Sequence, residues 1–457
     1  MVLTNVKQVF LIGIGGIGMS ALARYFRHKG MRVSGYDKTE TSLTRQLCSE
    51  GITVFYSDRT ELIPAGFVDD PAGSLVIYTP AVPADLNILT FFKALSYRLY
   101  KRSEILGKIS EAHFTIAVAG THGKTTTSSM IAHILTSCGR PCSAFLGGIA
   151  ANYETNLLLA DTDLLVVEAD EFDRSFLTLH PDIAIVTATD ADHLDIYGDA
   201  EQLLESFRLF IGQVSPNGKR IVKTGLKLPS DIRYAVEMPV DAYATNIQIK
   251  DRSFYFDYVG YQCTISDIKM GIAGKHNIEN AVAAIAAAKL VGIDDALIKT
   301  ALASFKGVKR RFEYIVNSGD VVYVDDYAHH PEELRACLSA MKELYGEKEI
   351  TCIFQPHLFT RTRDFIDDFA VALGLADVLI LMDIYPAREQ PIPGVTSDWL
   401  LSKVPLKKKY KLAADEVLAY VDSERPEVLL TVGAGNIDLL VNPIKEMLTN
   451  VGSHQND

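Results

Sequence analysis

The chain has 457 residues, 48% of them hydrophobic, which suffices for about three cores of ordinary size. A formal charge of -12 argues against a general nucleic-acid or acidic-membrane surface, so anionic ligands must be met by local basic groups. Cysteines at 48, 138, 142, 263, 337 and 352 lack zinc-type spacing and no apolar run reaches spanning length, so the expectation is a cytoplasmic protein with neither membrane nor nucleic acid as partner.

Gln8 to Ile14 is a short apolar run after Lys7, and the stretch through Ser20-Ala-Leu-Ala23 has the outline of a secretory signal. The glycines inside it favour a binding turn instead. Gly13-Ile-Gly-Gly-Ile-Gly18, an amphipathic stretch to His28 and a second strand, Met31 to Asp37, compose a β-α-β unit with Gly13, Gly15, Gly16, Ile17 and Gly18 in a dinucleotide-like turn. Asp37 is the acid expected about twenty residues on. Taken alone, this unit predicts a nicotinamide enzyme. Ser74 to Pro83 reads as a buried strand that ends in a loop bearing Thr79, Pro80 and Ala81. A polar, helix-like stretch near Arg102 to Ala112 then marks a domain boundary.

Phe114 to Ala119 is a β-type run that breaks into Gly120, Thr121, His122, Gly123, Lys124, Thr125 and Thr126 and then into a helix through Met130 to Thr136. Backbone amides freed by the glycines can wrap phosphate oxygens, Lys124 adds a mobile positive charge, and Thr125 offers a hydroxyl to Mg²⁺ at the helix start. Where the usual phosphate loop begins with glycine, this chain has Val118. Leu164 to Val167 is a strand ending in Glu168, placed to face the loop and hold Mg²⁺, with Asp170 and Glu171 as alternatives. After a further strand, Ile183 to Thr187, His193 stands among Asp190, Asp192 and Asp195 and is a metal or phosphate candidate. Such alternation predicts a mostly parallel sheet covered by helices. Short alternating runs between Arg220 and Met270 suggest an antiparallel appendage, followed by a helix, Asn277 to Leu290, next to which His276 and Asn280 share a face.

A third segment begins near Phe312, after Lys309-Arg-Arg311, with strands at Val321 to Val324, Ile350 to Phe354, Val378 to Met382 and Glu427 to Val432. It predicts another Rossmann-like sheet. Asp325-Asp-Tyr-Ala-His-His-Pro331 follows the first strand, so its polar side chains are expected to emerge together: Asp325 toward a nucleotide, His329 or His330 toward an incoming amine or its proton. Arg361, after the next strand, is suited to a two-pronged grip on a carboxylate. The turn Val432-Gly-Ala-Gly-Asn436 lacks the full dinucleotide signature.

The words Ala119-Gly-Thr-His-Gly-Lys-Thr-Thr126, Gly15-Gly-Ile-Gly-Met-Ser20, Glu168 to Leu177 and Gly274 to Ala281 resemble those of the Mur ligases, in the branch acting on UDP-N-acetylmuramate. Folylpolyglutamate synthetases share the short ATP loop. The resemblance covers nearly the whole chain and implies that ATP and Mg²⁺ are used to join L-alanine to the lactyl carboxylate of the sugar nucleotide, in a monomer or homodimer. It implies three α/β domains, a Rossmann-like UDP-binding domain (1-107), a central ATP-binding domain (108-311) and a Rossmann-like amino-acid-binding domain (312-457). On this reading the glycine turn cradles the UDP diphosphate, His193 holds a second Mg²⁺, His276 and Asn280 border the adenine, and Arg311 reaches the phosphates. The chain departs from the family at Tyr56-Ser-Asp58 in place of a Gly-His pair, at Phe172, at Ala188 in place of Asn and at Leu358 in place of a common arginine. No lysine accompanies Arg208 where several relatives use a carbamylated one, which fits the muramate-alanine branch. Competing readings are a ligase attaching a whole tripeptide to the same sugar, an NAD-dependent oxidoreductase and a non-catalytic UDP-sugar sensor.

Overall fold

The computed structural model describes residues 5–95, 97–190, 199–260, 263–387 and 389–449. Three mostly parallel sheets alternate with helices along the chain. The α/β class expected from the strand–helix alternation is what the chain adopts. By contact density the residues divide into two compact units, one of Met1–Thr245, Tyr258–Ile265 and Asn280–Leu302, the other of Asn246–Asp257, Ser266–Glu279 and Ala303–Asp457.

In the first unit, β1 (Gln8–Ile12), β2 (Arg32–Tyr36), β3 (Thr53–Phe55), β4 (Ser74–Tyr78) and β5 (Leu99–Lys101) form an all-parallel sheet in the order 3-2-1-4-5. β1 is buried along its whole length, as a parallel strand covered on both faces must be, hence its unbroken apolar run. Strand order reverses between β1 and β4, the place where parallel sheets open a crevice for ligands.

The second sheet is built on β6 (Phe114–Ala119), β7 (Ser143–Ala150), β8 (Thr155–Leu158), β9 (Leu164–Glu168), β10 (Ile183–Val186), β11 (Lys219–Lys223), β12 (Ile232–Val236), β13 (Ala242–Lys250), β14 (Ser253–Gly260) and β15 (Cys263–Lys269), in the order 15-14-13-12-11-10-6-9-7-8. β6 lies between β9 and β10, so the loops after these three strands open side by side. The expected antiparallel appendage holds for β13, β14 and β15 and is corrected for the strands before them: β11 and β12, with β13, continue the sheet in parallel from β10. Only the two-residue connections flanking β14 demand antiparallel neighbours. Short runs with period-two alternation could not reveal this, because register and direction are set by the sheet they join.

One apolar core runs from the helix Ile17–His28 of the first sheet to the strands of the second, with the Tyr25 and Phe145 rings 5.6 Å apart. The helix Arg102–Ser110 seals this seam: Thr178 Oγ1 donates to the Ser103 carbonyl at 2.8 Å, and Gly107 passes so close that an added methyl would lie 2.3 Å from the Thr178 carbonyl oxygen.

In the second unit, β16 (Glu313–Asn317), β17 (Val322–Asp326), β18 (Ile350–Phe354), β19 (Val378–Leu381), β20 (Lys408–Lys411) and β21 (Val428–Val432) form a sheet in the order 16-17-21-18-19-20, parallel except for β16. β16 and β20 carry too few buried residues to have been read as strands; they are edges whose ladders, not whose side chains, define them.

Gly107→Ala forces the helix Arg102–Ser110 off a backbone carbonyl. We expect a loss of about 1–3 kcal/mol, the usual cost of overpacking, seen as a lower urea midpoint.

Candidate active site

The phosphate loop leaves β6 with Gly120 and Gly123 in left-handed backbone, at φ of 133° and 83°. A methyl on Gly120 would sit 2.2 Å from Thr187 Oγ1, and one on Gly123 2.7 Å from Asn280 Oδ1, so both glycines are also spatially required. Residues after β10 hold the loop: Thr121 N donates to the Ala188 carbonyl (3.1 Å), Asp190 N donates to Thr121 Oγ1 (3.1 Å), and Thr187 Oγ1 lies within reach of the Ala119 and His122 carbonyls. His122 Nε2 stands 3.9 Å from an Asp190 carboxylate oxygen. Thr126 is buried in the first turn of the helix Lys124–Ser137, and Thr127 Oγ1 donates to Asn280 Oδ1 at 3.2 Å. Asn280 therefore belongs to the loop's surroundings.

Lys124 Nζ donates to the Gly120 carbonyl at 2.6 Å and to Glu171 Oε1 at 2.8 Å. Glu171 has no exposed surface. Burial works against the charge on Lys124, but Glu171, with Glu168 and Asp170 nearby, outweighs it and holds the ammonium above its ordinary pKa. Burial also pushes the Glu171 carboxyl up, against the pull of Lys124. Its place in the sequence marks Glu171 only as an alternative metal ligand; that it faces lysine follows from the turn after β9, which the spacing does not encode.

Glu168 meets the loop as expected from its strand-end position. Thr125 Oγ1 donates to Glu168 Oε1 at 3.0 Å, and Gly147 N donates to Glu168 Oε2 at 2.7 Å. A hydroxyl and a carboxylate are hard oxygen donors that fit Mg²⁺, which takes few protein ligands and completes its shell with phosphate and water. No group of three or more His, Cys, Asp or Glu suited to a metal occurs among the described residues. His193, with Asp192 and Asp195, lies outside the described residues.

At the reversal point of the first sheet, Gly13 (φ 84°) runs against the loop after β4: a methyl there would lie 2.5 Å from Thr79 Cγ2. The turn and the Thr79, Pro80, Ala81 loop are thus brought together, with Pro80 and Ala81 exposed. Asp37 Oδ2 accepts from Gly15 N at 2.7 Å and its Oδ1 from Thr39 N at 3.1 Å. Gly16 precedes the helix Ile17–His28; Ile17 is 40% exposed, and its carbonyl accepts from Asn156 Nδ2 at 2.7 Å. Gly18 faces Arg102. Asp58, in the departure from the Gly-His pair, caps the helix Asn87–Ala94 by accepting from Asn87 N (2.8 Å) and Ile88 N (2.9 Å).

The second unit carries its own polar cluster. Asp325 is corrected in position: it lies inside β17, 1% exposed, where Arg310 Nε (3.1 Å) and Thr431 Oγ1 (2.6 Å) both donate to it. Strand length decided this, since β17 runs on through Asp326 and takes Asp325 into the sheet. Asp326 ends the strand instead, and burial raises its carboxyl to about 6 although Ala328 N and Phe312 N donate to it. Arg310, not singled out by sequence, makes the pair with Asp325; Arg311 joins burial in lowering His276 to about 4.

His329 and Arg361 come together around a residue with no motif to mark it, His357. Its ring lies 5.8 Å from His329 and stacks on Tyr385 at 5.7 Å, and Arg361 Nη1 stands 3.4 Å from its Nδ1. Burial first, then the neighbouring His329 and Arg361, lower His357 to about 4, so it is neutral at neutral pH. His329 is lowered as well, chiefly by burial, and its Nδ1 lies 3.0 Å from the Tyr327 carbonyl. His330 plays a different part from the one expected: its Nδ1 accepts from Glu332 N (3.4 Å) to cap the helix Pro331–Tyr345, and its ring packs on Phe365. Leu358 takes a left-handed φ of 74° just before Arg361's helix, a strained backbone of the kind found at binding sites. Position after β18 was the only sequence signal for His357.

Comparison with known proteins identifies the family. Residues 8–114 match the model of the Mur ligase family catalytic domain, 118–288 the Mur ligase middle domain, and 310–435 the Mur ligase glutamate ligase domain. The chain is 49% identical to the UDP-N-acetylmuramate–L-alanine ligase of Parabacteroides distasonis over 98% of both chains. It is 48% identical to that of Phocaeicola vulgatus over 98% of this chain and 99% of the relative. Among solved structures it is similar to the UDP-N-acetylmuramate-alanine ligase of Thermotoga maritima, with a TM-score of 0.79 and 27% identity over 96% of this chain and 98% of that one. On full-length identity and on all three matched segments, the chain belongs to the Mur ligase family.

Proposed function

We propose that the chain joins L-alanine to the lactyl carboxylate of UDP-N-acetylmuramate, converting ATP to ADP and phosphate, in peptidoglycan synthesis. The observation that carries this reading is the phosphate loop with a buried, paired Lys124, in a chain half identical to enzymes that bear the name of this reaction. Residues 1-107 are assigned to the sugar nucleotide, 108-311 to ATP and 312-457 to the amino acid, in a cytoplasmic monomer or homodimer.

A carboxylate does not react with an amine until its oxygen becomes a leaving group. An oxygen of the lactyl carboxylate attacks the γ-phosphorus and ADP departs, giving an acyl phosphate; the alanine nitrogen then attacks the acyl carbon, loses a proton and expels inorganic phosphate. Phosphoryl transfer needs mostly positioning and neutralisation of charge. Lys124 supplies a cation already desolvated, and the loop amides beyond Thr121, which itself donates to Ala188, supply donors held in place by the loop. Thr125 and Glu168 would hold Mg²⁺, which would supply neutralisation of phosphate charge. In the second unit, Arg361 suits the alanine carboxylate, and neutral His329 and His357 suit the amine proton. The strained backbone at Leu358 shapes this cluster without the second cation common in relatives.

Phosphate release measured with ATP, Mg²⁺ and UDP-N-acetylmuramate should respond to L-alanine well above L-serine, glycine or the muropeptide tripeptide. A preference for the tripeptide would reassign the chain to the recycling branch, and turnover of NAD with no phosphate would reject the ligase reading. Lys124→Ala should lower kcat by about 10²–10³-fold, the usual loss when a preorganised charge is removed from a transition state. Glu171→Gln should destabilise the nucleotide-free protein by about 3–5 kcal/mol, since it strands a buried ammonium. Saturating ATP should then raise its melting temperature by more than it raises that of the unaltered protein, because triphosphate replaces the missing counter-charge; equal shifts would mean that Glu171 does not hold Lys124.

A further inference from the structure

Arg102 opens the helix Arg102–Ser110 and lies directly against Gly18, the last glycine of the turn after β1. A methyl placed on Gly18 would sit 3.0 Å from Arg102 Nη1 and 3.1 Å from its Cδ, so the absent side chain is what admits the guanidinium. The same arginine lines a small cavity of about 10 Å³ with Glu168, Asp170 and Ser175. It is half-buried, yet it makes no hydrogen bond or ion pair among the described residues, although two carboxylates share its cavity.

A half-buried guanidinium without a partner is unusual, because its planar donors are costly to leave unmet and are shaped for carboxylate or phosphate. The turn beside it has the opposite shortage. Gly13 to Gly18 contains no basic residue, and the carboxylate of Asp37 already sits on Gly15 N. A diphosphate on this turn would therefore bring its negative charge next to another, in a chain of net charge -12. Lys7 and Arg24, the basic residues nearest the turn in sequence, are paired with Asp70 and Glu50, and Lys38, next to Asp37, is exposed.

We infer that Arg102 is the cation that meets the diphosphate of the sugar nucleotide on the Gly13 to Gly18 turn. This rests on the assignment of that turn to UDP-N-acetylmuramate. The backbone position is fixed from both sides: Glu104 Oε2 accepts from Lys101 N at 2.6 Å at the helix start, and Gly107 packs on the Thr178 carbonyl one turn later. Two parallel N–H donors then face phosphate oxygens, and the arginine stands between that phosphate and the carboxylate Glu168 of the ATP loop. It acts on binding of the sugar nucleotide and takes no part in bond making.

Calorimetry with UMP, UDP, UDP-N-acetylglucosamine and UDP-N-acetylmuramate tests the inference on the full chain. The unaltered protein should prefer UDP to UMP. Arg102→Ala should lose about tenfold to a hundredfold of UDP affinity, the worth of a charge-assisted contact, with UMP affinity, affinity for a non-hydrolysable ATP analogue and melting temperature within about twofold or one degree of the unaltered values. Arg102→Lys, which keeps the charge but loses the fork, should fall between, and it serves the same test if the alanine variant is unstable. Unchanged UDP affinity in both variants overturns the inference, as does a loss shared equally by UMP. Loss confined to the discrimination of UDP-N-acetylmuramate from UDP-N-acetylglucosamine overturns it too, by moving Arg102 to the lactyl carboxylate. A loss in Lys38→Ala but not in Arg102→Ala gives the role to Lys38. If the unaltered protein binds none of these nucleotides, the sugar-nucleotide reading itself fails, and not merely this arginine's part in it.

Discussion

The first unit is organised around a buried charge. Lys124 cannot stay ionised out of water without partners, and the fold supplies two: the carbonyl of Gly120 on its own loop and the carboxylate of Glu171 on the turn after β9. Those contacts tie the loop to the neighbouring strand, while Thr187 and Ala188 tie it to the strand on the other side. The loop is thus held in the shape of a phosphate cradle by bonds made before any phosphate arrives. The same pair explains why Glu168 is left for Thr125 and Gly147, with the lysine's charge already answered elsewhere.

One topological rule places every candidate group. In a parallel sheet all strands point the same way, so loops after adjacent strands open at one edge. In the first sheet β1 and β4 deliver the glycine turn and Thr79 together; in the second β6, β9 and β10 deliver Lys124, Glu168 and Thr187. In the third, β17 and β18 flank β21 and deliver His329 and Arg361 with His357 between them. The three sheets differ in what the loops carry. One offers backbone amides and a half-buried guanidinium, one a buried cation with hard oxygen donors, and one neutral imidazoles beside an arginine.

Much of this was legible in the residues. The phosphate loop could be read because glycine, lysine and threonine at that spacing serve no common structural purpose together, and Glu168 because an acid ending an apolar strand has one obvious direction to face. His357, Arg310 and the pairing role of Glu171 were not legible. Each depends on a partner far along the chain or on where a strand stops, and neither leaves a local pattern. Asp325 and His330 show the converse, since both stand in a polar run that reads as a site. Two residues of extra strand bury the first, and the start of a helix turns the second into a cap.

By itself the sequence determined the α/β class, the glycine turn, the ATP loop and the family, because these rest on local spacing of glycines, charges and apolar runs, which short-range sterics and hydrogen bonding translate directly into strand, turn and helix. Only the tertiary structure decided which carboxylate faces Lys124, that β11 to β13 extend the central sheet in parallel, and that Arg102 meets Gly18 from eighty-four residues away. Those outcomes depend on strand order and on the close approach of backbones, which the packing of the whole sheet fixes.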